Sequence, residues 1–209
     1  MRKNFLILLT IILCLNSCKD NGETLLPTVT GAAYDMLVVG SPQVWKDTAG
    51  RALFELLDED TPGLPQSEPM FNISFIPESQ FDGVLKPARN ILMFKVDEHA
   101  YTQGKVHYKK NRWAKIQAIV QITAPNQEEM KKVIEEKGQE IIDFFVNVEY
   151  VRSLQYYRRY SNGKSRQLVI DSVGVALSIP DFLNKTKGAE NFAWLSNGSL
   201  ESRQDAVVY

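Results

Sequence analysis

The chain has 209 residues, of which 44% are hydrophobic and 23% charged, with a formal charge of -1. This is the composition of a globular protein of one domain or two small intertwined halves, and it excludes a disordered tail. Without the first seventeen residues, which hold Arg2 and Lys3 but no acid, 22 bases face 25 acids, a balance that offers no general attraction to nucleic acid or to an anionic membrane face.

Arg2 and Lys3 precede an apolar run from Phe5 to Leu15. They have the form of a signal peptide, and the run is far below the ~20 residues that span a bilayer core. Leu15, Asn16, Ser17 and Cys18 then resemble a bacterial lipobox. The resemblance implies cleavage after Ser17, a diacylglyceryl thioether on Cys18 and acylation of the freed amine, such as with palmitate. Two or three such chains hold a protein on a membrane where one does not. An ordinary cleaved signal peptide and an uncleaved anchor are the competing readings. If Cys14 leaves with residues 1–17 and Cys18 is lipidated, no thiol remains, which removes disulfides, cysteine nucleophiles and thiolate metal sites. Lys19 in place of Asp after the cysteine points to the outer membrane. The string Lys19 to Glu23 resembles the export tag of Bacteroidota surface lipoproteins, so the periplasmic face and the cell surface both stay open.

Residues 18–33, with Pro27 and Gly31, read as a tether, and a single α+β domain occupies 34–209. Tyr34 to Val39 predicts a strand. Ser41-Pro42 predicts a helix start, with Trp45, Thr48, Ala49, Ala52, Leu53, Leu56 and Leu57 on the buried face of residues 42–58. Pro62-Gly63 stops it. The stretch LPQSEP is stiff and extended, and either presents Gln66 and Glu68 to a ligand or leads into an edge strand. Met70 to Ile76 and Asn90 to Val96 predict strands, residues 98–112 a polar connection, and Trp113 to Thr123 a longer strand.

Asn126 with Glu129 forms a capping-box-like helix start. Met130, Val133, Ile134, Ile141, Phe144 and Phe145 share one face, and a second helical stretch over Val148 to Tyr160 comes almost without a break. Val173 to Ile179, Asn191 to Leu195 and Asp205 to Tyr209 predict three strands, the last two joined at Asn197-Gly198. Ser74-Phe75-Ile76-Pro77 with Phe81 is echoed by Ser178-Ile179-Pro180 with Phe182. The echo predicts two strand-helix-strand-strand units, 34–97 and 113–209, forming a mostly antiparallel sheet packed by helices. The run to Tyr209 has no sequel, which predicts that the natural chain continues.

The lipobox, YDMLVV, LPQSEPMFNISFI, ARNILMF, NRWAKIQAIVQITAP, the YY pair and SIPDF before NFAWL together resemble a Bacteroidota lipoprotein family known only as a domain of unknown function. The likeness covers about residues 30–209 and implies a location, members that run on past the end of this chain, and no catalytic residues.

Two histidines exist, His99 and His107, and with Asp97 they lack the spacing of a metal site, so no metal and no cofactor is expected. Lys105, Lys109, Lys110 and Arg112 lie among Tyr101, Tyr108 and Trp113; Tyr108, Lys110, Arg112 and Trp113 are the candidate ligand-binding residues. Arg152, Tyr156 to Tyr160, Lys164 and Arg166 form a second cluster. Cations and aromatic rings suit an anionic envelope glycan, and nucleic acid is not an expected partner for an exported chain. The competing reading is a solvated loop and the charged face of an amphipathic helix. Asp47-Thr48-Ala49 and Asp171-Ser172-Val173 resemble a short O-glycosylation signal, the second in a loop. The reading that results is a lipid-anchored, non-enzymatic envelope lipoprotein that binds or assembles with a glycan, peptide or protein. The alternative is an envelope hydrolase using a carboxylate pair.

Overall fold

A computed structural model describes residues 26–209. The expected signal peptide, Cys18 with its expected cleavage site and most of the segment read as a tether lie outside the described residues.

The larger sheet has five strands in the order β2-β1-β3-β5-β4. They are β1 (Asp35–Gly40), β2 (Asn72–Pro77), β3 (Asn90–Val96), β4 (Lys105–Lys110) and β5 (Ala118–Ala124). The pairs β1–β2, β1–β3 and β3–β5 are parallel, and only β4 runs antiparallel, against β5. This corrects the expectation of a mostly antiparallel sheet. Between β1 and β2 the chain passes through two helices, α1 (Pro42–Trp45) and α2 (Thr48–Leu57), and such a crossover returns it to the same end, so β2 must run parallel. The near-continuous apolar runs MLVV, ILMF and AIV are the signature of strands covered on both faces.

On one face Met36, Val38, Leu92, Phe94, Val120 and Ile122 pack against α2 and the long helix α3 (Gln127–Arg159). On the other, Leu37, Val39, Ile91 and Ile119 form a smaller cluster with Phe81, Leu85 and Trp113. The 33 residues of α3 make it about 50 Å long. The Asn126 side chain caps it by accepting from the Glu129 N–H at 2.9 Å. Its buried residues, from Met130 through Ile134, Gly138, Ile141, Phe145 and Val148 to Arg152, recur every three or four positions. The two helical stretches read from the sequence are therefore one helix.

The predicted helix over 42–58 is split instead. Asp47 caps a new helix by accepting from the Thr48 N–H at 2.7 Å, which leaves Thr48 exposed rather than buried. The halves 34–97 and 113–209 share the larger sheet, β5 of the second pairing with β3 of the first. After α3 the chain forms helix α4 (Gly163–Val173), which packs on an antiparallel sheet of β6 (Lys185–Ala189), β7 (Phe192–Ser196) and β8 (Asp205–Val208). The core of this smaller layer is Val169, Ile179, Leu183, Ala193 and Leu195. The expected strand Val173–Ile179 is absent: Gly174, with φ +79°, ends α4 as a left-handed cap, and residues 174–179 carry no strand. Asp171 and Ser172 consequently lie in α4, not in a loop.

Candidate functional site

The last residues of the segment read as a tether pack onto the body. Thr28 bridges Lys115 and Thr30 bridges Ala88, while the Lys115 N–H donates to the Pro27 carbonyl at 2.8 Å. This ribbon lies over the start of β3 and the lead into β5. Beneath it, the C-terminal half of α3 brings in Glu149 and Arg152, three residues apart and both buried.

The Glu149 carboxylate is 1% exposed and saturated with donors. Arg89 grips it from the side, Nε to Oε1 at 2.9 Å and Nη2 to Oε2 at 2.6 Å. Asn90 Nδ2 at 2.7 Å and Arg152 Nη1 at 2.7 Å converge on Oε1. Arg152 also donates from Nη1 to Asn90 Oδ1 at 2.9 Å, from Nε to the Ile116 carbonyl at 2.8 Å and from Nη2 to the Arg89 carbonyl at 2.7 Å. Burial draws the Arg152 pKa down to about 10, with Glu149 raising it and Arg89 lowering it further. The network locks α3 to β3 and to the chain around residue 116. It also holds two guanidinium charges against one carboxylate.

Above this network opens a cavity of about 760 Å³. Arg89, Lys115, Arg152 and Arg159 line it together with Tyr156, Tyr157 and Tyr160, and no Asp or Glu is among its lining residues. The tyrosines form a cluster, Tyr156 tilted against Tyr160 at 4.8 Å and edge-on to Tyr157 at 5.6 Å between ring centroids. Tyr156 is 51% exposed and Tyr160 45%, so both present ring surface to solvent. The Arg159 guanidinium sits 5.6 Å above the Tyr160 ring. Among the described residues, neither Arg159 nor Lys115 pairs with a carboxylate.

The four candidate ligand-binding residues go elsewhere, and to opposite faces of the sheet. Tyr108 packs on Phe144 of α3 at 5.0 Å, and Lys110 Nζ lies 5.5 Å over the same ring. Trp113 meets Phe81 edge-on at 5.4 Å on the far side, with Arg112 4.6 Å over its ring. The Tyr108 hydroxyl is enclosed next to Glu140 without a hydrogen bond of full geometry, and burial together with that carboxylate pushes its pKa up to about 12. Of the second cluster, Arg152, Tyr156, Tyr157, Arg159 and Tyr160 do converge, while Lys164 lines a separate depression beside α4. The Asp97 carboxylate caps its own loop by accepting from the His99 and Ala100 N–H groups. Among the described residues, no group of three or more His, Cys, Asp or Glu is arranged to hold a metal.

Arg89 and Lys115 have no signature in the sequence, since nothing in their spacing links them to a helix that ends at residue 159. Arg89 opens the RNIL stretch and Lys115 directly follows NRWA, stretches that stand out only for family resemblance.

The profile of one protein family matches residues 29–158. The chain belongs to the domain of unknown function DUF8532. No curated protein and no solved structure matches it. The DUF8532 match takes in the five-stranded sheet, the buried network and the cavity residues from Val29 to Tyr157. Arg159, Tyr160 and the small antiparallel sheet lie beyond it.

Proposed function

We propose that this DUF8532 protein is a lipid-anchored lipoprotein of the cell envelope, held at the outer membrane through Cys18, whose folded body binds an envelope partner in the cavity at the C-terminal end of α3. The lipobox supports the anchor; no described helix is long and apolar enough to cross a membrane. The observation that carries the binding role is the lining of the cavity: four cations and three tyrosines without an acid. A volume of about 760 Å³ lies in the ~300–1,000 Å³ range of ligand sites. The carboxylate pair that a hydrolase needs does not line this cavity.

Two measurements test the two parts. Fatty-acid labelling of wild type against Cys18→Ala checks the anchor, and equal labelling sinks it. For the cavity, the mature chain offers no competing thiol, so Ser153→Cys, on the cavity wall, is a clean probe. Its maleimide labelling is expected to be slower in intact envelopes than in purified protein, while Ser79→Cys, exposed and remote, labels alike in both. Equal rates at Ser153→Cys mean an empty cavity and remove the binding role.

A further inference from the structure

The lining of the cavity specifies its ligand more closely than its size does. Arg89 and Arg152 have most of their N–H groups committed to the Glu149 and Asn90 side chains and to the carbonyls of Gly31, Arg89 and Ile116. Their main contribution is field: with Glu149 they leave one net positive charge under the floor, in a region where charge is weakly screened. Arg159 and Lys115, both exposed and unpaired among the described residues, are the groups able to touch a ligand.

The C-terminal end of a helix carries partial negative charge, and basic residues in a last turn commonly offset it. Arg158 and Arg159 both sit there. That accounts for cations at the helix end, but not for Arg89 and Lys115, which come from the start of β3 and the loop before β5 and meet Arg159 around one cavity. Nor does it account for three tyrosines within five residues, two of them about half exposed. Exposed rings of this size are retained where a ligand supplies the other face, because each offers a large apolar area with a polar tip.

We propose that the cavity binds an anionic saccharide: a sugar ring laid against the exposed Tyr156 and Tyr160 side chains, with its phosphate or carboxylate held by Arg159 and Lys115. The arginine supplies a planar fork for the anion and the lysine a point charge. The buried excess charge of Arg89 and Arg152 draws the anion to the floor. This inference rests on the proposed use of the cavity as a binding site.

The test is calorimetric titration of the full mature protein in non-ionic detergent with glucose 1-phosphate, glucuronate, glucose and inorganic phosphate. Saturable binding of the two sugar anions is expected, weakening as salt rises. Glucose alone and phosphate alone should each bind at least about tenfold more weakly, since each lacks one of the two contacts. The variants Lys115→Gln with Arg159→Gln, and separately Tyr156→Ala, should lose about tenfold or more for the sugar anions while keeping the wild-type far-UV spectrum. Titration with monophosphoryl lipid A in mixed micelles of the same detergent distinguishes sources: binding of this alone places the saccharide on a lipid, and binding of the soluble anions places it free in solution. Glucose or phosphate matching the sugar anions, variants matching wild type, or no binding of any probe overturns the proposal. If the probes fail while Ser153→Cys stays shielded in envelopes, the ligand class falls and the cavity's role stands. An unshielded thiol removes both.

Discussion

Arg89 holds Glu149 side-on, two N–H groups on two carboxylate oxygens at 2.9 and 2.6 Å, and this contact fastens the start of β3 to the far half of α3. A buried ion pair contributes little over a well-packed apolar substitute, because desolvation offsets attraction, but breaking one side leaves the other charge uncompensated. Glu149→Gln removes the only carboxylate from a site with two guanidinium groups. It is expected to cost about 3–5 kcal/mol, read as a lower urea midpoint. The double variant Glu149→Leu with Arg152→Met should recover part of that loss. A single variant as stable as wild type shows that the network does not hold the helix.

How much of this was legible in the sequence depends on where each signal is stored. Asn126 with Glu129 located the start of α3 because a cap is local chemistry, satisfied within four residues. The run NILMFKV gave β3 because apolar continuity is local too. Strand direction is not local: parallel pairing depends on the crossover through α1 and α2, which no residue of β1 or β2 states. The strands β4 (KVHYKK) and β6 (KTKGA) carry too few apolar residues to show as strands, since each lies at a sheet edge with much of its surface in water. Glu149 and Arg152 look in sequence like an ordinary exposed pair three apart on a helix. Only the arrival of Asn90 and Arg89 from 59 and 60 residues away makes them a buried site. The tyrosine-arginine cluster was visible because five of its members share one helical stretch, and the cavity was not, because its other wall comes from residues 28–33, 89 and 115.

Gly50 marks a second constraint. A Cβ at this position would collide with the Trp45 and Val44 carbonyl oxygens, which are backbone and have no rotamer to escape into. Trp45 is itself fixed, stacked on Phe75 at 5.0 Å with the rings 3° from parallel. Gly50→Ala should therefore push α1 off α2 and destabilise by about 1–3 kcal/mol, as overpacked sites do. Gly83→Ala is the control: a Cβ there meets nothing within 4 Å, and its melting temperature should match wild type.

Tyr108 sets an alkaline signature. Its folded-state pKa of about 12 lies above the ordinary 10.0, so folding favours the protonated ring. The contribution is fully present below pH 10 and is lost as pH rises through 12. Spectrophotometric titration of the eight tyrosines should show a late-ionising component that Tyr108→Phe removes. The stability of Tyr108→Phe should also fall less steeply with pH than that of wild type above pH 10. A late component that persists in the variant assigns it to another tyrosine.

Gln117 offers the sharpest test of a single side chain. It is fully buried, and its amide nitrogen donates to the Lys86 and Ala88 carbonyls at 2.6 and 2.7 Å while its oxygen accepts from the Trp113 N–H at 3.0 Å. Gln117→Leu leaves three backbone groups without partners, each costing about 1–3 kcal/mol if no water replaces the amide. Gln117→Glu is nearly isosteric but, when ionised, turns an acceptor toward two carbonyl oxygens. Its folded pKa must then lie above the ordinary ~4.3 of glutamate. Stability of Gln117→Glu relative to wild type should be best below pH ~4 and decline as pH rises through the raised pKa, the opposite of a salt-bridged acid. Urea midpoints for both proteins at mildly acidic and neutral pH decide it: a difference that does not change with pH shows that the carboxylate has turned away from Lys86 and Ala88, and that the loop over residues 86–88 is not held by this amide.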